Sequence, residues 1–285
     1  MLTAGSLFCQ RDRCVQQYQR TPGTEVGKEE EMGDRQEQRV LLAGESWVMH
    51  TIHQKGFDHF TTTAYGEGHQ WLSAALTAGG FAVEHLPNHL ANEKFPMTVA
   101  DLRQFDAVLL SDIGANTLLL HPDTFAKSVS LPNRLTVIRD YVREGGGLVM
   151  IGGYLTFQGI EGKARYAGTA VEEALPVRML THDDRVEVPE GCAAHVTAPD
   201  HPIVAGLPGD WPPLLGYNRL LLKNEATVIA TVGRDPLLVA WDYGQGRSVA
   251  FASDCGPHWA PPVFVEWDGY ARLWQQLVEW VVKRR

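Results

Sequence analysis

The sequence predicts an α/β fold with a mainly parallel sheet, and three observations support this prediction. Short apolar runs alternate with amphipathic segments from Arg39 to Ile151. Each run is followed by glycine, proline or serine, as expected where a strand gives way to a turn. Strand, helix and strand at this spacing form right-handed βαβ units, which build parallel sheets. After about residue 170 the runs become shorter and alternate, which is typical of antiparallel strands.

The first half of the chain predicts four buried strands, at residues 39–43, 81–86, 106–110 and 148–151. Helices are expected at residues 69–78, after an N-cap at Thr98, and at 133–144, where apolar residues recur at helical spacing. The segment 45–65 is rich in polar and aromatic residues without a clear period, and we interpret it as a long loop.

The second half predicts further strands at residues 228–232, 237–243 and 248–252, with Gly244-Gln245-Gly246 as a hairpin turn. A closing helix is expected over residues 265–282, with one apolar stripe formed by Trp267, Tyr270, Trp274, Leu277 and Val281. We predict one domain over residues 38–285, with a β-rich excursion at about 170–225. Residues 1–37 have few apolar side chains and are predicted to be a disordered extension, within which Met32 is an alternative start.

Composition excludes several classes of function. The net charge of -9 and the lack of a basic stripe are unsuited to nucleic-acid binding, which relies on Lys and Arg. The four cysteines show no C-x-x-C pair, so we expect free thiols and a cytoplasmic location. No apolar run approaches the ~20 residues of a membrane span. The sequence motifs give no reason to expect a cofactor. The expected partner is a small molecule, and the sequence is also compatible with homo-oligomerisation.

Polar side chains follow four of the predicted strands, where ligands bind in open parallel sheets. They are Glu45, Ser46 and Trp47 after the first, Asp112 after the third, Gly152, Gly153 and Tyr154 after the fourth, and Asp254 and His258 after the last. These residues and His50 are expected to bind a ligand, with His258 and Glu45 as the acid/base pair.

Other chemistry-bearing residues leave alternatives open. His50 and His53 on the segment 45–65 are the alternative metal ligands, although H-x-x-H on a loop is a weak signal. Cys255 is not in an elbow, so a buried, inert thiol is expected. The run His182-Asp183-Asp184-Arg185 either holds a cation or forms a solvated turn in which Arg185 pairs with one acid.

The segment L-V-M-I-G-G-Y-L-T-F-Q at residues 148–158 resembles the elbow of the class I glutamine amidotransferase-like superfamily, a Gly-x-Cys turn followed by glutamine. The ending Y-G-Q-G-R-S-V-A-F-A-S-D-C-G-P-H-W is similar to that of the trehalose-utilisation-type branch. The stretches G-E-S-W-V-M-H, K-G-F-D-H-F-T-T, S-D-I-G-A-N and D-D-R-V-E-V-P-E-G resemble a bacterial "putative glutamine amidotransferase" family from about Val40 to Trp280.

The resemblance implies a flavodoxin-like three-layer sandwich. It maps the nucleophile position onto Tyr154 and the catalytic histidine near His258, within G-P-H-W instead of His-Pro-Glu. Glutaminase chemistry by a cysteine and a histidine is therefore not expected. The leading hypothesis is a cytoplasmic amidotransferase-like protein that binds a small polar metabolite. The alternatives are a metal-assisted hydrolase or isomerase, and a non-enzymatic assembly or sensor protein with the Trp-rich last helix and residues 259–262 as its apolar interface.

Overall fold

The computed structural model describes residues 37–282, so the predicted extension at residues 1–37 and Met32 lie almost wholly outside the described part. The strands are β1 (Arg39–Gly44), β2 (Ser46–Lys55), β3 (Asp58–Glu67), β4 (Ala82–Leu86), β5 (Ala107–Ser111), β6 (Gly147–Ile151), β7 (Val177–Met179), β8 (Arg185–Cys192), β9 (Ala194–Val196), β10 (Leu214–Asn218), β11 (Leu220–Leu222), β12 (Thr227–Val232), β13 (Asp235–Tyr243) and β14 (Gly246–Phe251). The helices are α1 (Gln70–Ala78), α2 (Asn88–Lys94), α3 (Val99–Leu102), α4 (Ala115–Leu119), α5 (Pro122–Lys127), α6 (Arg134–Arg143), α7 (Ala170–Ala174), α8 (Pro262–Val265) and α9 (Tyr270–Val282).

The central sheet has eight strands in the order β4-β1-β5-β6-β14-β13-β12-β9. The first five are mutually parallel, and the last three continue the sheet by antiparallel pairing. Strands β5 and β6 are buried along their whole length, as expected for strands covered on both faces. The predicted α/β fold with a mainly parallel sheet is confirmed.

Helices cover both faces of this sheet. On β14 the Phe251 ring meets Trp274 of α9, whereas Ser248 donates to the backbone oxygen of Ala174 in α7. Residues three apart on a strand point to opposite faces, so α9 and α7 lie on opposite sides. Helix α1 packs with α9, and α6 packs with α7. The fold is a flavodoxin-like three-layer sandwich.

The closing helix predicted at residues 265–282 is present as α9 but begins only at Tyr270, so the predicted start at about residue 265 is wrong. The chain forms α8, then a turn, and resumes as α9 at Tyr270. Gly269 has no room for a side chain, because an added Cβ would lie 2.3 Å from the Trp267 ring. The apolar stripe of α9 is nevertheless buried, including Trp274 and Leu277. The Trp-rich helix and Trp259 are therefore core and not the apolar interface that the sequence suggested.

The segment predicted as a long loop at residues 45–65 is a β-hairpin, and that prediction is also wrong. Strands β2 and β3 pair antiparallel from Ser46↔Glu67 to Lys55↔Asp58. Gly56 at the turn has a φ of 63°, a conformation that favours glycine. Most of the hairpin is exposed, so it lacks the one-sided apolar pattern by which a strand is usually predicted.

The β-rich excursion contributes two small ribbons and one strand of the central sheet. β7 pairs with β11, β8 pairs with β10, and β9 joins the sheet edge beside β12. The β8–β10 ribbon places Asp184 and Asn218 against the turn that follows β6. The excursion therefore supports the region where the central strands end.

Candidate functional site

A cleft of about 290 Å³ opens at the carboxyl ends of the parallel strands. Its walls come from the segments that follow β1, β5, β6 and β14, together with the base of the β2–β3 hairpin. The lining residues are Glu45, Trp47, Gly68, Asp112, Tyr154, Asp254, Gly256, Pro257 and His258. Parallel strands bring chain-distant residues to one edge, which is why these side chains meet.

Two carboxylate residues of the cleft adopt left-handed backbone conformations. Glu45 has a φ of 45° and Asp112 a φ of 46°, each directly after a buried strand. Such conformations cost on the order of 1–3 kcal/mol for a residue other than glycine, and they cluster at functional sites. The surrounding bonds hold them, since Glu45 N donates to Ser111 O at 2.9 Å. The sharp turns aim both carboxyl groups into the cleft.

The Glu45 carboxyl is buried at the back of the cleft. Its Oε1 accepts a hydrogen bond from Ser111 Oγ at 2.5 Å. Burial, followed by the charges of Asp254 and Asp112, raises the pKa of Glu45 well above its ordinary value, although the Ser111 bond opposes this. This shift favours the protonated form of Glu45, which is the form that can donate a proton.

Asp112 is the second carboxyl with a raised pKa. Burial and the charge of Asp254 raise the pKa of Asp112 to about 6, against the opposing effects of a backbone hydrogen bond and of His258. That bond runs from Leu155 N to Asp112 Oδ1 at 2.7 Å. Asp112 thus changes charge within the ordinary range of cellular pH.

The variant Asp112→Asn is expected to change how stability depends on pH. The folded pKa of about 6 exceeds the ordinary value of 3.8, so the native state holds a proton that the unfolded chain has released. The contribution of Asp112 to the free energy of unfolding therefore falls as pH rises between those two values. Urea unfolding measures the free energy of unfolding at pH 4 and at pH 7. The decrease of this free energy from pH 4 to pH 7 should be smaller in Asp112→Asn than in the wild type. Equal losses would contradict the assignment.

His258 and Asp254 form a pair at the mouth of the cleft. His258 Nδ1 lies 3.4 Å from Asp254 Oδ2, and the imidazole is partly open to solvent. Burial by itself lowers the pKa of His258, but the hydrogen bond and charge of Asp254, with Glu187 and Asp112, outweigh it and raise the pKa. A carboxylate-held imidazole of this kind can accept or supply a proton.

Tyr154 forms one wall of the cleft beside His258. The two rings meet edge to face with centroids 4.2 Å apart. The Tyr154 hydroxyl donates to Glu187 Oε1 at 2.9 Å, and the Arg185 guanidinium lies 4.5 Å from the centre of its ring. Glu187 Oε2 also accepts from Trp259 Nε1 at 2.9 Å, which ties β8 to the segment after β14.

The turn after β6 is held by two buried polar residues of the excursion. Asn218 Oδ1 accepts from Gly153 N at 3.0 Å, and Asn218 Nδ2 donates to Gly153 O at 3.2 Å. Asp184 accepts from Gln158 N and Gly159 N, each at 2.9 Å, and from Asn218 Nδ2 at 2.8 Å. The turn therefore keeps its sharp shape without a nucleophile at its apex.

Cys255 is buried behind the cleft, as predicted. Its Sγ lies 3.7 Å from Glu45 Oε1 and 3.7 Å from Ser111 Oγ. Burial, with the charges of Glu45 and Asp254, raises the pKa of Cys255 well above its ordinary value. A thiol in this setting is neither ionised nor accessible, and a cysteine attacks as its thiolate.

Cys255 is accordingly expected to resist alkylation in the folded protein. Iodoacetamide at pH 8 should leave the peptide containing Cys255 unmodified, while the same treatment in urea should modify it fully. Peptide mass spectrometry measures both states in one experiment. Rapid labelling of Cys255 in the native state would contradict the burial and the raised pKa.

The structure brings together six of the predicted site residues: Glu45, Trp47, Asp112, Tyr154, Asp254 and His258. Ser46, Gly152 and Gly153 are buried and do not line the cleft. Ser46 Oγ accepts from Asn88 N at 2.7 Å, Gly152 N donates to Phe251 O, and Gly153 is held by Asn218.

His50 does not join the cleft. It is exposed on β2, where its Nδ1 lies 3.0 Å from Thr63 Oγ1. His53 stacks on Phe60 on the other face of the same hairpin. The prediction that His50 binds the ligand is wrong, because the residue lies outside the cleft. The prediction that His50 and His53 share a metal is also wrong, because strand geometry points the two side chains to opposite faces.

Sequence reasoning missed the residues that support the site. Asn218 and Asp184 are buried, yet they lie far along the chain from Gly153, and no local motif links them. The run 182–185 was expected to be either a cation site or a solvated turn. Asp183 does pair with Arg185 at 2.9 Å, but Asp184 is buried and structural. The role of Asp184 could be suggested only by the general rule that a buried carboxylate is hydrogen-bonded.

Two groups of side chains among the described residues have the composition of a metal site. Glu45, Asp254 and Cys255, all buried at the back of the cleft, place one potential ligand atom each within 4.8 Å of the others. Glu67, His69 and His85 do the same at the base of the hairpin. In the second group the imidazoles stack at 3.7 Å, and their nitrogens contact Glu67, Ser73 and Gly44 O.

Comparisons with known proteins identify relatives across nearly the whole folded chain. A family model described as "Putative glutamine amidotransferase" matches residues 39–283. The solved structure of the cytoplasmic protein STM1381 from Salmonella typhimurium LT2 is 48% identical, with a TM-score of 0.83, and the match covers 86% of this chain and 100% of that one. The cytoplasmic protein STM3548 from Salmonella typhimurium is 45% identical, with a TM-score of 0.83 and coverage of 86% and 99%.

A glutamine amidotransferase from Thermotoga maritima also matches, at 12% identity and a TM-score of 0.45, over 86% of this chain and 98% of that one. The comparison with curated proteins gives no match. Among the described residues, no helix is both long enough and apolar enough to cross a membrane.

Proposed function

The chain belongs to the family of "Putative glutamine amidotransferase" proteins, and on that premise we propose that it binds a small polar metabolite in the cleft without thiolate chemistry. The observation that carries the proposal is the convergence of Glu45, Asp112, Asp254 and His258 in one cleft of about 290 Å³. A buried carboxyl with a raised pKa beside a carboxylate-held imidazole is an arrangement suited to proton transfer.

The elbow supports binding without attack. The resemblance maps the nucleophile position onto Tyr154, whose hydroxyl donates to Glu187. In nucleophile elbows the N–H of the next residue helps to stabilise the oxyanion. Here that residue is Leu155, and its N–H donates to Asp112 Oδ1 at 2.7 Å. The Tyr154 hydroxyl and the Leu155 N–H, which stand where a glutaminase of this type would use its nucleophile and its oxyanion donor, therefore both donate to carboxylates of the protein.

The lining of the cleft defines the class of ligand. Carboxyl oxygens accept hydrogen bonds, which favours a ligand with hydroxyl or amino donors. Trp47 and Tyr154 offer aromatic surface on which a sugar or a planar ring can pack. In this assignment His258 and Glu45 exchange protons with the ligand. A cytoplasmic location is part of the proposal and draws on the descriptions of the two Salmonella relatives.

A thermal-shift screen tests the proposal. Wild-type protein is mixed with sugars, amino acids, nucleotides and divalent metal ions, and each rise in Tm is measured again in Tyr154→Ala and His258→Ala. We expect a ligand-specific rise that both variants lose. His50→Ala is the matched control, because it removes an exposed imidazole outside the cleft. A rise that persists in both cleft variants would contradict the proposed site.

Metal-assisted hydrolysis or isomerisation is a second candidate, favoured by the group Glu45, Asp254 and Cys255. Carboxylates and a thiolate are known zinc ligands, and a bound metal would ionise the thiol. If this candidate is right, we expect Zn²⁺ to raise the Tm of the wild type in the same screen, and we expect Cys255→Ser to lose that rise. A Zn²⁺ response equal in both proteins would exclude it.

A further inference from the structure

The β2–β3 hairpin, here called the arm (residues 46–67), projects from the fold as an isolated ribbon. Its strands have ten residues each and pair only with each other among the described residues. A two-stranded ribbon is marginally stable in water, and three or more strands are usually needed. The arm therefore has the geometry of an element that is completed by further strands.

Both faces of the arm carry exposed apolar side chains. The register places Val48, Ile52 and Tyr65 on one face, and Trp47, Met49 and Phe60 on the other. All six are substantially exposed, with Ile52 at 70%. Phe57 at the tip is fully exposed. Exposed apolar surface on both sides of a strand pair is typical of an interaction site.

The outer edge of β3 lacks the features that prevent pairing with another chain. From His59 to Tyr65 it has no proline and no lysine, aspartate or glutamate, and such residues are how exposed edges are usually protected. The other edge is partly flanked at its base, where α2 packs beside β2 and Asn88 N donates to Ser46 Oγ. The free edge of the arm is therefore that of β3.

The sequence of β3 is complementary to itself in antiparallel register. About a two-fold axis at Thr62, Thr61 faces Thr63, Phe60 faces Ala64 and His59 faces Tyr65. Threonine pairs and large-against-small apolar pairs are favourable across strands, and like charges directly opposite are destabilising. In this register Asp58 faces Gly66, so no two like charges are opposed.

We propose that a second copy of this chain is the partner, and that the two β3 strands pair antiparallel about a two-fold axis at Thr62. The arms then form one four-stranded sheet. The same register sets the partner's Phe57 beside Glu67 and Gly68, and Gly68 lines the cleft. Each copy thereby contributes an apolar side chain to the mouth of the other's cleft.

Charge substitution at Thr62 tests the symmetry, because the residue faces its own copy. Thr62→Lys and Thr62→Asp should each convert the full-length dimer to a monomer of 31.6 kDa in sedimentation equilibrium. An equimolar mixture of the two variants should restore a dimer, since opposite charges then meet. Thr227→Lys is the matched control, an exposed strand threonine outside the arm, and should remain dimeric.

A monomeric wild type, a dimeric Thr62→Lys or a mixture that stays monomeric would overturn the proposal. Circular dichroism of each variant verifies that loss of the dimer is not loss of the fold.

Cross-linking tests the register itself. Paired residues of antiparallel strands have Cα atoms about 4.5–5.5 Å apart, which lies within the range of about 4.4–6.8 Å spanned by a disulfide. Thr62→Cys should therefore form a covalent dimer under mild oxidation. Because the chain has four native cysteines, Thr227→Cys gives the background. Equal cross-linking in the two variants would contradict pairing at Thr62.

Discussion

Replacing Asp184 by alanine is expected to lower the free energy of unfolding by about 3–5 kcal/mol, because three hydrogen-bond donors lose one shared buried acceptor. The variant leaves Gln158 N, Gly159 N and Asn218 Nδ2 without their acceptor. An unsatisfied buried donor costs about 1–3 kcal/mol. Urea unfolding at pH 7 measures the loss.

Asp183→Ala is the control for this prediction. Asp183 is adjacent in sequence, but it forms a partly exposed ion pair with Arg185. Asp183 also accepts from Glu161 N at 2.8 Å, but water can replace a partly exposed carboxylate, so we expect a smaller loss of unfolding free energy than in Asp184→Ala. If both variants lose a similar, small amount of unfolding free energy, Asp184 does not hold the turn after β6. A large loss in Asp184→Ala alone agrees with its burial.

The variant Trp259→Ala is expected to cost about 3–5 kcal/mol, the range for truncating a buried tryptophan. Trp259 is 1% exposed and stands between the core and the cleft. Its indole packs against Gly216, lies 5.7 Å from the Tyr154 ring and donates to Glu187. Removing it takes away the support behind Tyr154 and His258, so ligand binding should also weaken.

Trp47→Ala is the matched control for stability, because Trp47 is an exposed tryptophan of the same cleft. Its truncation should change the free energy of unfolding by less than about 1 kcal/mol, as is usual for surface positions. Equal losses at Trp47 and Trp259 in urea unfolding would contradict the description of Trp259 as core.

The sequence predicts most of the central sheet because its strands are buried on both faces. Leu148–Ile151 and the other apolar runs lead to the right strands, and Thr98 is the N-cap of α3, with its side chain accepting from Asp101 N. The carboxyl ends of those strands gave Glu45, Asp112 and His258 as site residues, since topology alone brings strand ends together. Six predicted residues do line one cleft.

The features that were missed depend on contacts between distant parts of the chain. The arm is exposed on both faces, so it carries no one-sided pattern, and its polar residues suggested a loop. Asn218 and Asp184 hold Gly153 and Gly159 from segments 25 to 65 residues away. The break before α9 depends on the Trp267 ring filling the space at Gly269. None of these contacts has a local sequence signature.

The proposed function assigns ligand binding without thiolate chemistry to the turn after β6. The β8–β10 ribbon holds this turn, Asp112 accepts from Leu155 N, and Tyr154 lines the cleft. The ionisable groups that remain in the cleft are carboxyls and an imidazole, and the thiol of Cys255 lies buried behind them. On this account Glu45 is essential to the site and the cysteine is not.

One titration tests that contrast most directly. The strongest ligand from the thermal-shift screen is titrated by calorimetry into the wild type, Glu45→Gln and Cys255→Ser at pH 7. We expect Glu45→Gln to bind at least about tenfold more weakly, a loss of about 1.4 kcal/mol, and Cys255→Ser to bind like the wild type. Binding that survives in Glu45→Gln and is lost in Cys255→Ser would contradict the account.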